Sequence, residues 1–474
     1  MSKIKVNLLV LLAMLLTIGV GVTACNSDEN SSDDTEIDTE SDVSDTDSDT
    51  DTDADTDTDT DTDSDTDTGE EGIPPNCDDT TKMCVISGTY VEDLTLTADW
   101  TWVLRGGVFI GDDTNKTVLT IEAGTTILGE NSTDGMLVIR RHSQIMAEGT
   151  KMKPIVFTSS KAEGSRARGD WGGLIINGLA TINSCGGEDL PCEASGEGGT
   201  GWYGGDDDAD NSGVLKYVRV EFAGRLISPD NELNGVAFQG VGSGTTVDYL
   251  QVHYNADDGI EFFGGTANVK HVYLTGNGDD NIDWTDGWRG KAQFVVVVQA
   301  ADAGDQGIEA DNNGENNTYT PVANPTLSNI TLVGSGTDNS DIGILLREGT
   351  MATLNSVIVS NFDEAGIDID HDSIQHALDG DIKINYTIVD CGDHNFKVED
   401  AETPNETIVE DTFNAGTGNI IASAAVLKDV YVSTGEALGN GVVPSDSFFD
   451  DVDFIGAVSA DDNWVAGWTQ DAAN

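Results

Sequence analysis

Positive charge is scarce in this chain: 22 Lys and Arg stand against 86 Asp and Glu in 474 residues, a net charge of −64. A field of that sign argues against nucleic acid or anionic lipid headgroups as partners. Proline is sparse too, at nine residues, yet no stretch shows a sustained 3.6-residue apolar period with caps, which argues against helices. There are only six cysteines and six histidines, and no cysteine pair has the tight spacing and nearby histidines of a zinc site. Glycine, by contrast, is abundant at 55. Between the glycines lie short Val/Ile-rich alternations such as Val118-Leu119-Thr120-Ile121, Met136-Leu137-Val138-Ile139 and Leu174-Ile175-Ile176, strands by residue type and period.

The N-terminus reads as an address. Lys3 and Lys5 precede the apolar run Leu8 to Val22, which is too short and too early for a membrane span and fits a signal peptide over residues 1–24. The run closes in Val22-Thr23-Ala24-Cys25, which resembles a bacterial lipobox, and that resemblance implies lipidation of Cys25. Acyl chains contribute about 0.8 kcal/mol per buried methylene, so two or three hold a soluble domain on a membrane. Residues 26–71 carry 22 acidic and no basic residues, mostly as Asp-Thr repeats, and cannot bury enough apolar surface to offset their ordering entropy. Residues 25–76 are thus expected to form a disordered acidic stalk, extended by its own repulsion. Beyond stalk and signal, 64 acidic residues face 20 basic ones, about −44 for the body over residues 77–474. The expected location is the bacterial cell envelope, on the outer membrane and facing outward.

Outside the cytoplasm, Cys77 with Cys84 and Cys185 with Cys192, each seven residues apart, are expected as disulfides clamping local loops. Cys391 follows the apolar run Ile384 to Val389 and reads as a buried free thiol.

One phrase recurs through the middle of the chain. It reads Asp257-Asp258-Gly259-Ile260-Glu261, Asp279-Asp280-Asn281-Ile282-Asp283 and Asp305-Gln306-Gly307-Ile308-Glu309, with echoes at Asp341, Glu364 and Asp393. Spacings of 22 to 36 residues, each with a second strand at a similar offset, describe a solenoid, and glycine bends with two or three short strands per turn fit an all-β, right-handed parallel β-helix with loop insertions. A propeller would need blades of about 40 residues. Strand alternation stacks Ile260, Ile282, Ile308, Ile344, Ile367 and Phe396 inward, then Phe262, Trp284, Ala310, Leu346, Ile369 and Val398. It turns Glu261, Asp283, Glu309, Leu345, Asp368 and Lys397 outward, beside a column of Phe263, Thr285, Asp311, Arg347, Asp370 and Glu399.

Several phrases are also similar to those of a poorly characterised family of secreted bacterial surface proteins, often lipoproteins. They are Gly169-Asp170-Trp171-Gly172-Gly173-Leu174-Ile175-Ile176-Asn177-Gly178, the acidic phrases themselves, Phe454-Ile455-Gly456-Ala457 and Trp464-Val465-Ala466-Gly467-Trp468. The resemblance covers about residues 100 to 470 and implies a pectin-lyase-type parallel β-helix.

Coils about 4.8 Å apart would line up Glu261, Asp283 and Glu309. Unit charges 5 Å apart repel by about 3 kcal/mol at an effective dielectric of 20, so the column needs a cation, a basic partner or a proton. Calcium suits it best, with Asp257, Asp258, Asp279, Asp280, Asp305 and Asp311 as further ligands. A solvated acidic face is the plain alternative. A third reading is catalysis by Glu261, Asp283 and Glu309, since carboxylates about 5 Å apart suit glycoside hydrolysis. Trp284, Trp288, Phe263 and Tyr273 would then stack on sugars, with Arg289 and Arg347 on an acidic one. Against it, the Gly-His-Gly and Arg-Ile-Lys signatures of polygalacturonase-like β-helices are missing, Trp284 falls in an inward column, and Arg347 is placed to pair with Asp311 and Asp370. His371 and His376, near Asp368, Asp370 and Asp372, read as surface residues, and Gly196–Gly205 as an insertion loop. The expected function is binding of a glycan, matrix component or partner surface, calcium-stabilised. Polysaccharide degradation and a passive structural role are the competing classes.

Overall fold

A computed structural model describes residues 75–471, except 187–190, 229–231 and 398–406. The signal, Cys25, nearly all of the stalk, Val398 and Glu399 lie outside the described residues. Twenty-five strands join one sheet, every pairing in it parallel except the opening hairpin of Asn76–Asp78 with Met83–Tyr90. This is a parallel β-helix.

Its first ladder climbs from Met136–Ile139 through Gly173–Asn177, Val236–Gln239, Ile260–Phe263, Ile282–Thr285, Ile308–Ala310 and Ile342–Leu346 to Ala365–Ile369. The register is the one the repeat predicts: Ile260, Ile282, Ile308, Ile344 and Ile367 follow one another, and Glu261, Asp283, Glu309, Leu345 and Asp368 form the neighbouring column. The isoleucines are 0–1 % exposed. The small residue of the phrase has a steric cause. A Cβ on Gly259 would come within 2.5 Å of Asn277 Nδ2 and 2.7 Å of the Asn281 carbonyl on the next coil.

The second strand of each coil turns a corner. Thr246–His253, Asn268–Thr275, Lys291–Val298, Thr326–Val333 and Thr353–Ser360 pair along both halves but skip one central residue. That residue is left-handed each time: Tyr217, Tyr249, His271, Phe294, Asn329, Ser356 and Tyr386 have φ between 49° and 60°. For non-glycine residues this costs about 1–2 kcal/mol each. Stacking supplies an offset of about 0.5–1.5 kcal/mol per pair. Tyr217 stacks on Tyr249 at 4.3 Å, Tyr249 on His271 at 4.3 Å and His271 on Phe294 at 5.0 Å.

The C-terminal segment runs back down this corner as a strap. Ser356 Oγ donates to the Val442 carbonyl, Asn329 Nδ2 to the Phe454 carbonyl and Arg219 Nη1 to the Trp468 carbonyl. Gln251 and Gln470 exchange two hydrogen bonds, at 2.6 and 2.8 Å. Trp464 and Trp468 set their edges against the stacked rings. Two short helices, Ser373–Asp379 and Ile408–Ala415, break the all-strand pattern, and the second seats Ile408, Val409 and Phe413 in the core. Cys77 is joined to Cys84 and Cys185 to Cys192, while Cys391 is free and buried.

Candidate functional site

The acidic phrase lies at the bend entering the first ladder, where one layer of polar side chains braces each bend and a second ties coil to coil. Inside, Asn255, Asn277 and Gln299 repeat every 22 residues. Asn255 Nδ2 donates to the Asp258 carbonyl at 2.7 Å, Asn277 Nδ2 to Asn281 Oδ1 at 3.2 Å and Gln299 Nε2 to the Gln306 carbonyl at 3.0 Å. Outside them, Asp258 Oδ1 accepts from the Asp280 amide at 3.0 Å and Asp280 Oδ1 from the Gln306 amide at 2.6 Å. The second aspartate of the phrase therefore staples its coil to the next. The sequence reading missed the asparagine layer, although its signal was present as an Asn three residues before the second Asp.

Three carboxylate clusters result: Asp257, Asp258 and Asp279; Asp258, Glu261 and Asp283; Asp279, Asp280 and Asp305. In each, one oxygen per residue lies within 4.8 Å of the others. Two oxygens on one calcium ion, each at 2.3–2.6 Å, stand at most about 5 Å apart, so these all-oxygen sets fit a hard divalent cation. Burial is uneven: Asp258, Glu261 and Asp280 are 7, 8 and 3 % exposed, Asp257, Asp283 and Asp305 half-buried, and Asp279 exposed.

The charges raise one another's pKa. Burial, then Asp283, Asp257 and Glu261, hold Asp258 well above the carboxylate range. Glu261 is pushed up by burial, Asp283 and Glu197, against a hydrogen bond from Asn234. Asp257 rises to about 7 by burial and Asp279, and Asp283 to about 7 by burial, although Arg347 pulls it down. Glu197, from the 194–203 insertion, also rises to about 7 through burial and Asp257. It is an acidic member of this region that the sequence reading left out, since nothing in a glycine-rich loop marks its return to the coil.

Glu309 and Asp311 stand apart. The Arg347 guanidinium lies against Glu309 and holds Asp311 at 3.0 and 3.4 Å, whereas Asp370 instead accepts from the His371 amide. The aromatic candidates are withdrawn from solvent. Trp284 and Trp288 are fully buried, their indole N–H groups on Thr350 Oγ1 and the Ala267 carbonyl, and Phe263 and Tyr273 are 7 and 4 % exposed. Sugar stacking by these four is thereby ruled out: an aromatic beside an acidic motif in sequence fills the interior when it falls on the inward pleat or under an insertion. Arg289 pins loops, bound to Asp208 and the Thr181 carbonyl. His371 pairs with Glu348 and His376 with Asp381, so they share no site. Asp170 of the Gly169–Gly178 phrase accepts from Ser159 Oγ and Lys161 Nζ, both at 2.6 Å, and Trp171 is buried with its N–H on the Glu221 carbonyl, which makes that phrase a fold signature.

The profile of a family described as a pectate-lyase-like β-helix domain matches residues 88–469. The chain belongs to that family. The matched span takes in all three carboxylate clusters and almost the whole C-terminal strap. No curated protein and no solved structure matches the chain.

Proposed function

We propose that this pectate-lyase-like β-helix is a lipid-anchored surface protein that holds calcium at its acidic bends and binds glycan along the first ladder. The observation carrying this reading is the cluster of Asp258, Glu261 and Asp283. Three carboxylates converge there, and Arg347, the cation that acts on Asp283, is already taken by Glu309 and Asp311. Such a group is stable when protonated or when a cation joins it. The family match favours a carbohydrate ligand.

A second reading draws on Asp283, raised to about 7 although Arg347 pulls it down, beside a Glu261 pushed well above the carboxylate range with no such cation among its causes. Two carboxyls whose environments differ are what acid–base cleavage of a polysaccharide requires. Fold membership alone does not decide between them. The deciding experiment is thermal unfolding with and without calcium, for wild type and Glu261→Gln/Asp283→Asn, beside product release from a polysaccharide panel. A calcium-dependent rise in Tm, lost in the double variant, with saturable glycan binding and no turnover, is expected. Turnover unaffected by calcium and abolished in the variant would overturn the binding reading in favour of the enzyme.

A further inference from the structure

Gln251, His253 and Thr275 meet where two coils join beneath the strap. Gln251 and His253 are two residues apart on Thr246–His253, so they project from one face, and His253 lies in register with Thr275 of Asn268–Thr275. Their neighbours Leu250, Val252 and Leu274 fill the core, which turns these three toward the strap. His253 Nδ1 stands 2.6 Å from Thr275 Oγ1. Gln251 Nε2 donates to the same oxygen at 3.5 Å and to the Gln470 carbonyl at 2.6 Å, and Gln251 Oε1 accepts from the Gln470 amide at 2.8 Å. Because Thr275 Oγ1 accepts from the carboxamide, its own proton is left to the imidazole.

This is a hydroxyl nucleophile with a base within hydrogen-bond reach. It is closed to outside substrates: Gln251 and His253 are fully buried and Thr275 is 6 % exposed. The electrophile has to come from the chain itself, and one is in contact. The carboxamide carbon of Gln251 is one bond of about 1.33 Å from the nitrogen that touches Thr275 Oγ1. Its oxygen already faces a backbone N–H, the arrangement that receives charge developing on a carbonyl oxygen. A cavity of about 200 Å³, lined by Arg219, Glu221, Phe222 and Gln470, lies alongside, and the Phe222 ring stands 5.9 Å from that of His253. A small leaving group has a way out there.

We infer that Thr275 and Gln251 join in an internal ester that staples two neighbouring coils under the strap. His253 Nδ1 takes the Thr275 proton as Oγ1 bonds to Cδ of Gln251, and the charge that forms on Oε1 is met by the Gln470 amide. The Cδ–Nε2 bond then breaks, and the imidazolium returns its proton to the departing nitrogen. One hydroxyl and one primary amide become one ester and one ammonia, and no oxidant or co-reactant is consumed. The strap takes part as well as covers, because the donor to Oε1 arrives only when Gln470 docks. The crosslink is independent of the calcium and glycan readings.

The test is tandem mass spectrometry of a tryptic digest of the full chain with its disulfides reduced. Trypsin cuts after Arg225, Lys270 and Arg289, so Gln251 falls in residues 226–270 and Thr275 in residues 271–289. Wild type should yield these two peptides joined and lighter than their sum by one ammonia. Hydroxylamine should separate them and leave Gln251 as its hydroxamate. A succinimide at Asn277-Gly278 would also shed ammonia, but it lightens one peptide without joining two. Thr275→Val and His253→Gln, each checked for folding by circular dichroism, should yield the peptides apart. Separate peptides from wild type would overturn the crosslink, whatever the variants do. Joined peptides that persist in either variant would overturn the roles given to the hydroxyl and the imidazole.

Discussion

At the scale of single residues, the carboxylates of the repeated phrase have two distinct occupations. Asp258 and Asp280 accept a backbone amide from the next coil, while Glu261 and Asp283 face each other and further acids, eased only by Asn234 on the first and by Arg347 and the Trp284 backbone on the second. Their raised pKa values fix how stability responds to pH. At about pH 4 the unfolded carboxyls begin to ionise while the folded ones keep their protons. Between there and about 7, where Asp257 and Asp283 titrate in the native state, unfolding releases protons, so stability falls as pH rises. Calcium-free protein should therefore show its highest Tm near pH 4–5 and lose stability up to about pH 7.5 in a pH series of melts. Saturating calcium should flatten that slope. Asp283→Asn should stabilise the calcium-free protein by on the order of 1 kcal/mol, a modest figure because Asp283 is only half-buried. A destabilised variant without calcium would show that this carboxylate is satisfied as it stands.

At the scale of elements, the sequence conveyed periodicity well and coverage poorly. The inward isoleucines and the carboxylate column were legible because a strand alternates strictly and six coils share one register. The corner was not. Tyr249, His271 and Phe294 sit in the middle of what reads as one strand, and nothing in a Val/Ile alternation announces a left-handed residue there. Likewise, Trp464 and Trp468 read as a family signature without a partner, because their contacts are to residues about two hundred positions earlier. The same blindness to long-range coverage made Phe263 and Tyr273 look available, when an insertion buries the first and the strap the second. If the strap stabilises the corner, Trp464→Ala should cost about 3–5 kcal/mol, the usual range for a buried tryptophan, measured by urea unfolding. It should also increase acrylamide quenching of the remaining indoles in the native state. A loss below about 1 kcal/mol would mean the stacked rings stand unaided.

At the scale of the whole molecule, charge sets the context in which the site works. A body of about −44, preceded in sequence by the 22 carboxylates of residues 26–71, will repel anionic surfaces beyond contact range and feel salt strongly. The lipobox-like Val22-Thr23-Ala24-Cys25 would supply the attachment that such a surface opposes. In a Gram-negative host, the wild-type chain should pellet with membranes and incorporate labelled fatty acid. Cys25→Ala should do neither, which mass spectrometry of the mature N-terminus checks directly. An unmodified wild-type N-terminus would remove the anchor while leaving the β-helix reading untouched.

The strap also sets an order of events. Its contacts run backwards along the chain, from Ser356 near its beginning to Gln251 and Arg219 at its end. Coils can stack one upon another as they emerge, since each contacts its neighbour. The corner that they build, with Tyr217, Tyr249, His271 and Phe294 in a row, stays open until the strap from Val432 to Gln470 arrives. A chain lacking the strap would display that aromatic row on its surface, so the rings themselves report whether the strap has docked.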